Sequence, residues 1–132
     1  MPVAKVKQAR AMLPAKFRDG VPLSVELFVN SDDPFRIVHA IFRMPNGGTE
    51  WELSFELIET VLKDHHAGVG DVRLALEVDE VSITLESHEG QADILISLKG
   101  LQEFHTAVKR LPRPRKAMDN LIESAIRLCG EG

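Results

Sequence analysis

Cysteine is nearly missing from this 132-residue chain. Cys129 stands alone, so no disulfide can form within the molecule and a cysteine zinc centre lacks its ligands. Tyrosine is absent and tryptophan occurs once, with six phenylalanines, which leaves few rings on which the bases of a single-stranded nucleic acid could stack. No uninterrupted apolar run approaches the roughly 20 residues needed to cross a bilayer. The opening stretch Met1-Pro2-Val3-Ala4-Lys5-Val6-Lys7 carries no apolar centre of the kind a secretion signal uses. A reducing, cytoplasmic setting is therefore expected. Sixteen basic against 20 acidic residues give a net charge of -4, with no general attraction to phosphate.

What is present is the composition of a folded protein. An apolar fraction of 44% with 27% charged residues supplies the density of Val, Ile and Leu that a disordered chain lacks. The length fits a single domain spanning residues 1–132. Charge is unevenly spread: residues 49–104 hold thirteen acidic and three basic side chains, while the segments before and after hold more basic than acidic ones. The middle of the chain is acidic and both ends are basic.

Alternation of apolar residues marks strands with one buried face. Leu23, Val25, Leu27 and Val29 alternate with polar or outward positions, as do Val72, Leu74, Leu76 and Val78, and then Val81, Ile83 and Leu85 beyond a hairpin step at Asp79-Glu80. Pro45-Asn46-Gly47-Gly48 predicts a tight turn between strands 35–44 and 49–53. Glu89-Gly90 predicts another turn before Ala92, Ile94 and Ile96, and residues 3–12 form a weaker strand candidate. Three helices are expected. The first is capped by Ser54, carries Leu57, Ile58 and Val61, and ends near His65. The second presents Leu101, Phe104 and Val108 and is stopped by Pro112. The third spans 115–129, with Met118, Leu121, Ile122, Ala125 and Cys129 on one face. The expected architecture is α+β, in the order ββββαβββαα, built as two packed antiparallel sheets or one strongly curved sheet with helices on an outer face.

No catalytic constellation is legible. Asp64-His65-His66 could bind a cation, but adjacent side chains on a helix end diverge by about 100° and spacing places no third ligand. His39, His88 and His105 fall on separate elements. Gly68-Val69-Gly70-Asp71 follows a helix and precedes a strand, the reverse of the order that aims a helix N-terminus at phosphate. No metal, cofactor or catalytic residue is assigned. The run Lys109-Arg110-Leu111-Pro112-Arg113-Pro114-Arg115-Lys116 packs five cations around two prolines and suits an acidic protein segment, phosphates or plain solvent.

One ordered set of residues resembles a known family. Asp33-Pro34-Phe35, Phe42, Glu50-Trp51, the helix with Leu57 and Leu62, Gly70-Asp71-Val72-Arg73, Glu89-Gly90 and the stretch from Leu101 to Arg110 followed by Pro112 are similar to the SsgA-like proteins, sporulation and cell-division regulators of actinobacteria. The resemblance covers about residues 20–112. It implies a small, non-enzymatic cytoplasmic protein that helps position the tubulin-like division protein FtsZ at septa alongside other family members. It also implies a fold like the Whirly-type nucleic-acid-binding proteins, with two packed sheets, assembled as a trimer. Phe35 and Trp51 are then either core anchors of strand starts or parts of a subunit or partner contact. Arg73, Arg110, Arg113 and Arg115 are further contact candidates, with Arg73 suited to an ion pair. Single-strand nucleic-acid binding is the alternative, raised by the implied fold and the basic ends.

Overall fold

The computed structural model describes residues 7–112. The elements are β1 (Gln8–Phe17), β2 (Pro22–Asn30), β3 (Val38–Met44), β4 (Gly47–Leu53), α1 (Phe55–Asp64), β5 (His66–Val69), β6 (Val72–Glu77), β7 (Glu80–Ser87), β8 (Gly90–Ser97) and α2 (Leu98–Lys109). All eight strands are hydrogen-bonded into one antiparallel sheet in the order β4-β3-β2-β1-β8-β7-β6-β5. The class is α+β as expected; of the two arrangements expected, the structure has one continuous sheet and not two packed sheets, and four strands rather than three follow α1. The third helix expected at 115–129 lies outside the described residues.

Each half of the sheet is a meander of sequence neighbours. The strand ladders of the two halves join where Ala15, Lys16 and Phe17 of β1 pair with Ile96, Leu95 and Ile94 of β8, and the Arg18 amide extends the junction by donating to the Asp93 carbonyl at 3.0 Å. Pro14 falls just before this ladder, where β1 is paired with β2 alone, so its missing N–H disrupts nothing. β1 lies five residues later than the 3–12 candidate, because its inward positions Ala9, Ala11, Leu13 and Ala15 are mostly small and give a faint apolar signal. β5 escapes sequence reading because it is four residues long, contains a glycine and is largely exposed. It pairs with β6 through a turn at Gly70-Asp71, with Gly70 at φ +59. The β6–β7 turn is one residue earlier than expected, and places Val78 at φ +55 with its side chain in solvent.

The inward faces carry Val25, Leu27 and Val29, then Val38, Ala40 and Phe42, in one half, and Val81, Ile83, Leu85, Ile94 and Ile96 in the other. Both helices rest against this same face, with Ile58 of α1 and Leu101 of α2 meeting Leu27, Leu74, Ile83 and Ile96. The sheet therefore curls around the helices, and these sit on the concave side instead of the outer face. Ser54 caps α1 by accepting from the Leu57 amide at 3.3 Å, and His65 ends it in a left-handed conformation, its amide donating to the Val61 carbonyl. Ser97 caps α2 in the same way through the Gly100 amide at 3.1 Å. No helix among the described residues is long and apolar enough to cross a membrane.

Candidate interaction surfaces

The helices fill only one end of the concave face. At the other end the β3–β4 and β7–β8 hairpins face each other across an open groove of about 440 Å3. Phe42, Met44 and Trp51 line it from one half of the sheet, Leu85 and Ile94 from the other, and Phe17 closes its floor near the junction of β1 and β8. These side chains share the parity of the core positions, so the groove is uncovered core surface. The volume and apolar lining match those of ligand and peptide sites. Among the described residues its only charged lining residue is Glu89. Trp51 lies opposite Ala40 in the ladder, is half-buried and packs against the core.

Phe35 is placed quite differently from a core anchor. The strand begins at Val38, so Phe35 falls in the β2–β3 loop and is 76% exposed. The loop holds it there. The Asp33 carboxylate accepts from the Phe35 amide at 2.8 Å and from the Ile37 amide at 2.9 Å. Arg36 adopts φ +54, uncommon for a residue with a side chain, and its guanidinium donates to the Val108 and Leu111 carbonyls at 3.3 and 3.2 Å, at the C-terminal end of α2. The loop and the helix end are thus tied, and the exposed Arg110 shares this end of the molecule with Phe35. Sequence reading had no means of finding the Arg36 tie, which joins positions 72 and 75 residues apart.

Arg73 stands on the convex face of β6 in an ion pair with Glu86, away from both the groove and the Phe35 loop. Arg113 and Arg115, like Cys129, lie outside the described residues. The histidines do not converge. His39 stacks on Phe28 with centroids 4.7 Å apart, and its Nδ1 is 3.3 Å from Glu50. His105 stacks on Phe55 and reaches Glu59 at 3.3 Å, pinning α2 to α1. His65 caps a helix and His66 opens β5. Among the described residues no group of three or more His, Cys, Asp or Glu side chains is arranged to hold a metal ion.

Charged residues on the convex face pair with one another across strands. Glu26, on β2, is buried and bridges Arg10 of β1 at 3.1 Å and Arg43 of β3 at 2.9 Å. Across the junction of the halves, Arg18, just after β1, binds both Glu77 and Asp93. The hydrogen bond from Arg18 holds the Glu77 carboxyl below its ordinary pKa, against a weaker opposing effect of desolvation. A carboxyl whose pKa is depressed on folding stabilises the fold above its unfolded-state pKa, and that contribution disappears as pH falls through the lower folded value. Thermal unfolding followed between pH 6 and 3 is expected to show part of the acid loss removed in Glu77→Gln. An unchanged pH profile in that variant would exclude the linkage.

The described residues define a curled single-sheet α+β domain with an open apolar groove and a rigid exposed aromatic loop. A family model described as Streptomyces sporulation and cell division protein, SsgA, matches residues 23–114, and the chain belongs to this family. It is 37% identical over 87 residues to the sporulation-specific cell division protein SsgB of Saccharopolyspora erythraea, an alignment covering 64% of this chain and 61% of that relative. Among solved structures, one reported in a study of SsgB mutations and longitudinal division in Streptomyces coelicolor superposes with a TM-score of 0.73 at 23% identity, over 81% of this chain and 90% of that one. The SsgA-like sporulation-specific cell division protein of Thermobifida fusca superposes with a TM-score of 0.71 at 25% identity, over 96% and 99%.

Proposed function

We propose that this protein is a non-enzymatic regulator of sporulation-specific cell division, a single cytoplasmic domain that promotes localisation of FtsZ to septum sites through protein–protein contacts. It works alongside other SsgA-like proteins and as a homotrimer. The observation that carries this reading is the family match, which runs from β2 past the end of α2 and so takes in most of the sheet and both helices. The groove and the Phe35 loop are consistent with it, since they offer apolar contact surface of the kind that anchors protein interfaces. A fluorescent fusion in sporulating cells is expected to gather at septa with FtsZ, and loss of the gene is expected to leave the hyphae unseptated. Regular septation without the gene would overturn the proposal.

A further inference from the structure

Among the described residues, the exposed Phe35 and the groove around Trp51 are two apolar features left uncovered. They occupy opposite ends of β3, which spans seven residues, roughly 20 Å at about 3.3 Å per residue, so Phe35 cannot reach the groove of its own copy. We infer that Phe35 of one copy inserts into the Trp51 groove of a second copy, joining copies head to tail. This rests on the self-association in the proposed function and supplies the contact that would produce it.

Shape, rigidity and charge support the pairing. A groove of about 440 Å3 walled by Phe17, Phe42, Met44 and Trp51 has room for a phenyl ring and offers aromatic and thioether partners to it. The Phe35 loop is already ordered by the Asp33 hydrogen bonds and the Arg36 tie to α2, so little conformational freedom is lost on docking. The knob end carries exposed Lys109 and Arg110 beside one exposed acid of the loop, Asp32. Among the described residues the groove carries Glu89 and no basic lining residue. Because the two contacting surfaces differ, the arrangement is heterologous and must either close into a ring or extend as a filament. A single-stranded nucleic acid is disfavoured at the same loop, since one isolated ring provides no succession of stacking platforms.

Two substitutions at exposed positions separate the halves of the contact. Phe35→Ser removes the knob. Thr49→Arg fills the groove mouth and adds a positive charge opposite the basic knob end. In sedimentation velocity the wild-type chain is expected to associate with rising concentration, with a shift in the emission of Trp51, the sole tryptophan. Each variant alone is expected to associate at least about thirtyfold more weakly, the size of an aromatic hot spot. Mixed together, the two variants retain one intact knob and one intact groove, and are expected to form a dimer of one copy each and nothing larger. Variants that associate like the wild type would overturn the contact while leaving self-association standing. A strictly monomeric wild type would remove both, and preferential binding of a labelled oligothymidine by the wild type and not by Phe35→Ser would assign the loop to nucleic acid instead.

Discussion

Replacing Phe104 by alanine is expected to lower the unfolding free energy by about 4 kcal/mol, within the range seen when a fully buried aromatic ring is deleted. Phe104 is 1% exposed and lies between Leu101 and Val108 on the buried stripe of α2. That helix rests on β1, β7 and β8, the strands flanking the three-pair junction between the halves of the sheet. Truncation therefore removes ring contacts and also leaves a cavity between α2 and the sheet. Domains of this size commonly hold only about 5–15 kcal/mol in total, so the melting temperature should fall by roughly 15 °C. Phe104→Leu, which keeps most of the volume, should recover most of the loss. Urea denaturation read by Trp51 emission measures both variants, and a decrease under about 1 kcal/mol for the alanine variant would show that the Phe104 ring is not part of a tightly packed core.

The second large effect concerns the Arg10–Glu26–Arg43 bridge. Glu26 is 5% exposed, whereas each arginine side chain is about half exposed. Removing the carboxylate would leave two cations that water can reach, but removing both cations leaves a buried carboxylate with no counter-charge. Arg10→Met with Arg43→Met, which keeps the apolar stems, is expected to lower stability by about 2–3 kcal/mol, less than for a fully buried pair because water reaches the arginines. Adding Glu26→Leu should return stability to within about 1 kcal/mol of the original, because the triad as a whole is replaceable by apolar surface. Failure of the triple variant to recover would assign the loss to the contact between the Arg10 guanidinium and the Phe28 ring, 5.5 Å apart.

The bridge also bears on how the convex face is used. It covers the middle of the first half-sheet, flanked by the stacked Phe28 and His39. Its polar groups are mutually satisfied, and the exposed apolar side chain beside it on this face is Met12, opposite Glu26 in the ladder.

Local patterns settled much of this molecule in advance. The alternation in β2, β6 and β7, the Ser54 cap, the stop near His65 and the stripe of α2 each depend on neighbours within a few residues, so they are legible along the chain. The family resemblance was legible for a similar reason, since it rests on an ordered set of residues and needs no coordinates. The sequence also located Phe35 and Trp51 as candidates for contact.

What each of them does was decided only by the tertiary structure. Whether the strands make one sheet or two depends on the short pairing of β1 with β8, partners about 80 residues apart, and no periodicity reports such a distant ladder. The curl that follows puts the helices inside and leaves Trp51 in an open groove. Phe35 is carried out of the core by the Asp33 turn and the tie from Arg36 to the end of α2. Burial along a strand is a matter of local parity, but the closing of a sheet and the exposure of a loop are set by contacts between segments that meet only when the whole chain has folded.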